Sequence, residues 1–243
     1  LKRLFRGRHP IEYVEQGFYD PKVLSFENMY LKGSFQSQRY FEDILEEVQE
    51  TFRFPELKDM NLPAPLYETT EKYLLRIEGC NAVGLHMYRG DSRSNEELYD
   101  GICTEKYYEG AVRFIQDKCP DAKFFIFSNE PKWVKGWVIS LMKSQIREDM
   151  SREEIRALED HFVLIENNTE YTGYLDMFLM SRCRHNIISN SSFSWWAAFI
   201  NENPDKLVTA PSRWVNGVPS EDVYVKGMTL IDEKGRVERT IKE

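Results

Sequence analysis

Short apolar runs alternate with helix-like segments from about residue 80 onward, and this alternation limits the possible fold more than any other feature of the sequence. The runs are AVGLHMY, KFFIFS, HFVLIE, HNIIS and KLVTAP. Between them lie EKYYEGAVRFIQDKC, EPKWVKGWVISLM, TGYLDMFLMSRC and SFSWWAAFIN. Strands that alternate with helices at this spacing form βαβ units, and continuously apolar strands are typical of sheets covered on both faces. The sequence therefore predicts an α/β fold with a mostly parallel, doubly wound sheet.

The first third of the chain follows a different pattern. Irregular segments precede an extended stretch at Met29-Tyr30-Leu31, and SQRYFEDILEEVQETF then places apolar residues at helical spacing. The next segment, FPELKDMNLPAPLY, contains three prolines. Because proline breaks helices and donates no amide, this segment is predicted to be a linker.

Bulk properties exclude some classes of function. The net charge of −8 argues against nonspecific nucleic-acid binding, which needs a basic surface, although a local basic pocket is compatible with it. The four cysteines have no C-x-x-C spacing, so free thiols are expected rather than a zinc site. No apolar run is long enough to span a bilayer.

The polar residues that follow the predicted strands are candidates for a binding site, because ligands of doubly wound sheets bind beyond the carboxyl ends of the strands. The first strand carries His86 and is followed by Arg89 and Asp91. A guanidinium there can bind a diphosphate through charge-assisted hydrogen bonds, and Asp91 can fix the guanidinium or act as a base. An exposed Arg89–Asp91 ion pair is the plainer alternative.

The turn NSSFS lies between the fourth strand and its helix. Ser191, Ser192 or Ser194 can cap that helix, whose unpaired first amides form an anion site. A simple cap needs one hydroxyl, so the additional serines and Asn190 leave phosphate or ribose contacts equally open. The adjacent Trp195-Trp196 pair cannot face one direction, so one ring is expected on the sheet and the other against a neighbouring element or the ligand.

Other polar positions keep two interpretations. His185, before a strand, is either a satisfied buried histidine or a nucleotide contact. Asp176 opens a helix, where a carboxylate favours the helix dipole, or belongs to the site. The sequons at Asn167 and Asn190 are interpreted as chance.

At these residues the sequence resembles a known family. YLDMFLMSRCRHNIISNSSFSWWAAFI, followed by DKLVTAPSRW, resembles the signature region of the family 11 glycosyltransferases, the α-1,2-fucosyltransferases. HMYRGD lies where that family has His-x-Arg-Arg-x-Asp, and FFIFSNEPKWV lies where it has Phe-Ser-Asp-Asp before a Trp-containing helix. YLKGSFQSQRYFEDI matches the stretch before the linker, so the resemblance covers nearly all of the chain.

The resemblance implies a two-domain, GT-B-like fold. Residues 79–243 would form a Rossmann-like domain that binds the GDP-sugar. Residues 1–78 would be the linker and the remainder of an incomplete amino-terminal domain on the acceptor side. The implied reaction is metal-independent, inverting transfer of L-fucose from GDP-fucose to the 2-hydroxyl of a galactoside in surface-polysaccharide synthesis.

The same resemblance implies the partners and the site. The partners are the sugar nucleotide, as donor substrate rather than cofactor, and a galactose-containing glycan, with no nucleic acid. The implied location is the bacterial cytoplasm, with peripheral attachment to the inner membrane left open. Catalytic roles fall on Arg89, His86 and Asp91. The donor-binding set is Tyr88, Ser128, Asn129, Asp176, His185, Asn190, Ser191, Ser192, Phe193 and Ser194.

Three departures from the family pattern leave alternatives open. Tyr88 replaces the first of two arginines, Asn129-Glu130 replaces paired acids, and the Gly-rich amino-terminal motif is absent from this chain. A transferase of the same fold with another sugar nucleotide, such as a galactosyltransferase, is one alternative. A catalytically silent nucleotide-binding module is the other.

Overall fold

A computed structural model describes residues 11–88, 96–146, 148–166 and 169–242. The strands are β1 (Glu12–Val14), β2 (Tyr30–Lys32), β3 (Ala82–Met87), β4 (Lys123–Ser128), β5 (Phe162–Leu164), β6 (His185–Ile187), β7 (Val208–Pro211), β8 (Met228–Ile231) and β9 (Val237–Thr240). The helices are α1 (Leu45–Thr51), α2 (Ala64–Glu78), α3 (Glu96–Tyr99), α4 (Glu105–Lys118), α5 (Pro131–Gln145), α6 (Arg152–Asp160), α7 (Gly173–Ser181) and α8 (Ser192–Phe199). None of these described helices is long and apolar enough to cross a bilayer.

A seven-stranded sheet organises the molecule, with strand order β5-β4-β3-β6-β7-β8-β9. All neighbours in it pair in parallel except β8 and β9, which are antiparallel. The chain builds outward from β3 through β4 to β5, and then returns to the other side of β3 with β6. This reversal is the Rossmann arrangement. It confirms the predicted α/β class with a mainly parallel sheet.

Helices cover both faces of the sheet. Along β3, alternate residues point to opposite faces, so Val83 and Leu85 pack with α4 and α5. Ala82 packs with α2 and α7 on the other face. On that second face, a Cβ added to Gly84 would lie 3.0 Å from the Nδ2 of Asn186, in the neighbouring strand β6. Glycine at position 84 therefore leaves room for the Asn186 amide, which donates to the Met180 carbonyl of α7 at 3.0 Å.

The amino-terminal third differs in part from the sequence prediction. The predicted helix over SQRYFEDILEEVQETF is two short 3₁₀ helices, Gln38–Tyr40 and Glu42–Ile44, followed by α1. The predicted linker ends early, because α2 begins at Ala64 with a proline in its first turn, where a missing amide costs little. Leu74 and Ile77 of α2 are buried against the sheet. The later prolines of the segment thus start a helix rather than interrupt one.

The carboxyl-terminal hairpin of β8 and β9 has no counterpart in the sequence prediction. Its turn contacts α4 through two glycines: a Cβ on Gly110 would lie 2.3 Å from the carbonyl oxygen of Gly235. Gly235 has φ +78°, which glycine adopts without steric cost. The Thr104 hydroxyl, which caps α4, also donates to the Glu233 carbonyl. The hairpin is therefore fixed to the helix by backbone contact.

Candidate functional site

The reversal of strand order between β3 and β6 creates a crevice at the carboxyl edge of the sheet. Two chain segments reach it: the end of β3 with Tyr88, and residues 188–191, which connect β6 to α8. Because parallel strands all end at this edge, segments distant in sequence meet there. The crevice is the candidate site.

His86, in β3, connects the two segments through a hydrogen bond and ring contacts. Its Nδ1 lies 2.9 Å from the hydroxyl of Ser189, and its ring lies 5.3 Å from Phe193 and stacks on Tyr88 at 6.0 Å. His86 is only 6% exposed, and burial lowers its pKa to about 4. A neutral, buried imidazole in this position fixes the turn into α8.

The amino end of α8 presents backbone amides to the crevice. Ser191 occupies the cap position, but its hydroxyl makes no capping hydrogen bond, and the first helical bond runs from the Trp195 amide to the Ser191 carbonyl. The amides of residues 192–194 are therefore left without helical acceptors. Such a helix end is suited to an anion, since the amides point outward and the helix dipole is positive there.

The serines of the turn divide into two kinds. Ser194 is fully buried, and its hydroxyl lies within 3.3 Å of the Ser191 carbonyl and 3.4 Å of the Ser189 carbonyl. Ser191 is half-buried and Ser192 is exposed. The hydroxyls that a ligand can reach are those of Ser191 and Ser192, and Ser194 supports the turn from inside.

Asn190 is held on both sides of its amide group. Its Nδ2 donates to the Trp214 carbonyl at 3.1 Å, and its Oδ1 accepts from the Cys103 thiol at 3.3 Å. Burial raises the pKa of Cys103 to about 12, so the thiol keeps its proton. Asn190 thus anchors the turn to neighbouring loops.

Three other predicted residues reach the same edge of the sheet. Ser128 ends β4, beside β3, and its hydroxyl accepts from the Glu130 amide at 3.0 Å. Asn129 follows it and is exposed. Asp176 lies in the first turn of α7 and is half-buried.

His185 is a correction to the sequence prediction. It begins β6 and pairs with Val83, so it lies near the amino end of the sheet, away from the crevice. Its Nδ1 accepts from the Leu207 amide at 3.0 Å, and its Nε2 lies 3.4 Å from the Cys119 sulfur. Burial, and then the charge of Arg184, lower its pKa. It is the satisfied buried histidine of the two alternatives.

Some predicted positions lie outside the described residues. These are Arg89 and Asp91, and also the sequon residues Asn167 and Asn168. The described part of this segment ends at Tyr88, which is half-buried over His86. Arg89 and Asp91 therefore stay predictions.

The tryptophan pair behaves as expected. Trp195 is 6% exposed, donates its Nε1 proton to the Val223 carbonyl at 2.7 Å, and packs in one core cluster with Ala210 and Leu230 of the sheet. Trp196 stacks on Phe41 at 6.0 Å and contacts Phe52 at 5.0 Å, in the amino-terminal segment. One ring thus packs in the core around β7 and β8 and the other against a neighbouring element.

Two supporting residues were not found from the sequence. The hydroxyl of the fully buried Ser189 forms the hydrogen bond with His86. The hydroxyl of Tyr107, in α4, donates to the Ile188 carbonyl at 2.5 Å. Ser189 stands beside the serines that were singled out, so its place just after a strand was a usable signal. Tyr107 had no such signal, because it looks like any apolar residue of an amphipathic helix.

Comparison with known proteins places most of the chain, including the crevice, within one family of enzymes. The family model for Glycosyl transferase family 11 matches residues 17–226. An alpha-1,2-colitosyltransferase of Escherichia coli is 33% identical over 185 residues, which are 75% of this chain and 54% of that protein. The O-antigen biosynthesis glycosyltransferase WbnK of Escherichia coli is 32% identical over 142 residues, 58% of this chain and 41% of that protein.

More distant relatives come from mammals. A galactoside alpha-(1,2)-fucosyltransferase 2 of Oryctolagus cuniculus is 24% identical over 151 residues, 59% of this chain and 38% of that protein. The chain thus spans about half the length, or less, of these curated relatives.

Proposed function

The chain belongs to glycosyltransferase family 11, and from that membership we propose that it carries the nucleotide-sugar side of an inverting α-1,2-fucosyltransferase. The donor is GDP-fucose, and the acceptor is the 2-hydroxyl of a galactoside in surface-polysaccharide synthesis. Residues 79–243 are the donor domain of a GT-B enzyme, and residues 1–78 belong to its acceptor side. The names of the relatives support the linkage, since α-1,2 transfer is common to the colitosyl- and fucosyltransferases.

The observation that carries this proposal is the amide end of α8 in the crevice between β3 and β6. A diphosphate placed there accepts hydrogen bonds from the free amides of residues 192–194 and from the exposed hydroxyl of Ser192. Arg89, one residue beyond Tyr88 in the sequence, is the cationic residue that we assign to the same diphosphate. The crevice thus suits the most strongly charged part of a nucleotide sugar.

The same groups have a role in the reaction. The acceptor oxygen attacks C1 of the sugar from the face opposite the diphosphate, the bond from C1 to the phosphate oxygen breaks, and the acceptor proton passes to a base. Negative charge grows on the leaving GDP, so fixed amides and Arg89 stabilise the transition state more than the ground state.

His86 is assigned a positioning role in this mechanism. Its pKa of about 4 makes it a weak base at neutral pH, and its Nδ1 is already engaged with Ser189. It holds the turn that presents the amides of α8. Asp91 is the remaining candidate for the base among the three residues assigned to catalysis.

The identity of the donor sugar has a second candidate. The relative with 33% identity is a colitosyltransferase, and colitose differs from fucose by the loss of the 3-hydroxyl. Tyr88, in place of an arginine, removes one charge from the donor site and adds a ring. A donor sugar that lacks one hydroxyl, or another hexose such as galactose, is compatible with this substitution. A catalytically silent nucleotide-binding module with the same fold is also compatible with it.

Calorimetric titration with GDP, GDP-fucose and GDP-colitose, together with an assay for donor hydrolysis, tests the proposal. We expect binding of all three and slow hydrolysis of the preferred donor, with UDP as the negative control. Binding without hydrolysis or transfer would favour the silent module. An absence of binding to every guanine nucleotide would refute the proposal.

A pair of variants tests the role of the α8 amides. Ser192→Pro removes one amide at the first helical position, where proline is tolerated, and the extended Ser191 backbone (φ −136°, ψ 130°) is compatible with a following proline. Ser192→Ala removes only the hydroxyl. We expect GDP affinity to fall more for Ser192→Pro than for Ser192→Ala, and equal affinities would remove the amide from the site.

A further inference from the structure

A second cleft, of about 370 Å³, opens beside α8 on the side of the amino-terminal segment. Its aromatic wall consists of Phe35, Phe41, Trp195 and Trp196. Its polar wall consists of Ser34, Gln36, Ser37 and Ser192. Ser192 also begins α8 at the crevice, so the cleft and the crevice share a residue.

The chemistry of the lining selects the kind of ligand. All of the side chains that line the cleft are uncharged, so a phosphate or a carboxylate would find no cationic side chain among these lining residues. Aromatic rings opposite hydroxyl and amide groups suit a sugar ring, which has an apolar face and a polar rim. The lining therefore favours a neutral carbohydrate.

The segment that carries Ser34 and Phe35, one from each wall, is held in place by Glu15. One carboxylate oxygen of Glu15 accepts from the amides of Ser34 and Phe35, at 2.7 and 2.9 Å. These bonds hold Phe35 at φ +46°, a conformation that is uncommon for a residue other than glycine and that recurs where ligands are clamped. The Phe35 ring meets Tyr40 edge-on at 5.5 Å and is half-buried.

Gln36 has one side of its amide group engaged and one available. Its Oε1 accepts from the Trp214 Nε1 at 2.9 Å, which fixes the orientation of the amide. Among the described residues, none provides a hydrogen-bond acceptor for its Nε2. Gln36 therefore offers a fixed donor to the cleft, which can bind a sugar hydroxyl.

The aromatic wall is rigid as well. Trp195 stacks on Phe199 at 5.0 Å and 10°, and Trp196 stacks on Phe41 at 6.0 Å and 15°. Side chains locked in this way bind a ligand without the entropy cost of ordering them. The cleft is thus formed before any ligand arrives.

We propose that this cleft binds the acceptor as a neutral galactoside, with the apolar face of the sugar on the aromatic wall and its hydroxyls on Gln36 and the serines. The assignment rests on the proposed function, which defines the donor and the acceptor. Since Ser192 borders both spaces, an acceptor in the cleft lies next to a donor whose diphosphate contacts the amino end of α8. Transfer requires this adjacency, because reacting atoms must come within about 3–3.5 Å.

The test uses two variants and one control, with methyl β-galactopyranoside as the probe and binding measured by saturation-transfer NMR and by tryptophan fluorescence. Gln36→Glu keeps the acceptor for Trp214 and loses the amide donor. Phe35→Ala removes one ring of the aromatic wall. Phe18→Ala, an aromatic residue of the same segment that is 48% exposed and outside the cleft, is the control. We expect each of the two cleft variants to weaken galactoside binding about five- to tenfold, as for a lost hydrogen bond or ring contact.

Affinity for GDP is measured on the same proteins and should be unchanged. If Phe35→Ala fails to fold, Gln36→Glu still tests the cleft. Thermal unfolding of each variant identifies such a folding defect. Galactoside binding that is absent in the parent chain with and without GDP, or equal in the parent chain and both cleft variants, would overturn the assignment. A loss confined to GDP binding would give the cleft to the nucleotide and would overturn it too. Galactoside binding that depends on these residues without any GDP binding would keep the cleft and refute the proposed donor.

Discussion

Tyr88 and Arg89 occupy the two positions at which the family pattern carries arginines, and of the two only Arg89 is charged. If it binds the diphosphate, Arg89→Ala should cost about 1.5–3 kcal/mol in GDP affinity, because a charge-assisted hydrogen bond is lost. The loss in turnover should be larger, since charge grows on the leaving phosphate. Calorimetry and single-turnover kinetics measure the two effects.

Arg89→Lys is the matched control, and it should recover only part of the loss, because an ammonium cannot bind two oxygens as a guanidinium does. An Arg89→Ala protein with unchanged affinity and rate would end the diphosphate assignment.

Tyr88→Arg restores the family pattern and separates the two views of Tyr88. If the tyrosine merely weakens a fucosyltransferase, the arginine should raise transfer from GDP-fucose, because a second cation then faces the diphosphate. If the tyrosine suits another donor, the arginine should lower transfer from that donor and leave the use of GDP-fucose unimproved. Steady-state kinetics with GDP-fucose and GDP-colitose distinguish the outcomes.

His86 links the site to the pH dependence of stability. Its pKa is about 4 in the folded chain and 6.5 in an unstructured peptide, so between these values the unfolded chain binds more protons. The free energy of unfolding should therefore be unaffected by His86 above pH 6.5 and should fall progressively toward pH 4, by roughly 3 kcal/mol in all. Urea unfolding at a series of pH values measures the slope.

His86→Gln should flatten this part of the slope. His161→Gln is the control, because His161 is only half-buried and directly precedes β5, outside the crevice. His185 contributes equally to all three proteins. An identical pH slope for the parent and His86→Gln would contradict the buried, neutral state of His86.

The sequence located the crevice but not its supports. The residues after each strand were predicted from the rule that parallel strands end at one edge, and the structure places Ser191, Ser192 and Ser194 at that edge. His185 entered the donor-binding set only through the resemblance, although its place before a strand already put it at the amino end of the sheet, away from the crevice. Gln36 and Phe35 precede the seven-stranded sheet in the chain, and the packing of the amino-terminal segment on Trp196 and the hydrogen bond from Trp214 to Gln36 bring them to α8.

Helix α4 and the β8–β9 hairpin pack so closely at Gly110 that one added methyl group would force them apart. Gly110→Ala would place a Cβ 2.3 Å from the backbone oxygen of Gly235, and a backbone atom cannot rotate away as a side chain can. The two elements must separate, so the free energy of unfolding should fall by about 1–3 kcal/mol or more. Chemical denaturation measures the change.

Gly136→Ala is the control within another helix. Gly136 is exposed in α5, and a Cβ there would have no heavy atom within 4 Å. This variant should stabilise the protein by about 0.5–1 kcal/mol, because alanine is the better helix former. Equal effects of the two substitutions would mean that the hairpin does not press on α4.

Elements were predicted best where burial fixed their pattern. β3 and β4 are apolar along their length because both faces are covered, and their bounds in the structure lie within the predicted runs. β9 is exposed along its whole length and carries Glu238 and Arg239, so it has no apolar pattern to detect. α2 was missed because prolines were read as breakers, although they lie at its start.

For the whole molecule, the proposed chemistry predicts independence from metal ions. The leaving diphosphate is neutralised by Arg89 and helix amides in this proposal, and these need no divalent cation. Transfer, or donor hydrolysis by this chain, should therefore continue at an unchanged rate in excess EDTA. A rate that collapses on chelation and returns with Mn²⁺ would contradict the prediction.

The hydrogen bond between His86 and Ser189 spans 103 positions of the chain. During synthesis, β3, β4 and β5 can pair as soon as they emerge, but β3 lacks its second neighbour until β6 follows. Contacts between residues so far apart in sequence are associated with slow folding. The crevice is complete only when both β3 and the connection from β6 to α8 are in place. In the proposed site, only a molecule in which β6 has paired with β3 can bind the nucleotide. A bound nucleotide would therefore stabilise the folded state and no partly folded one.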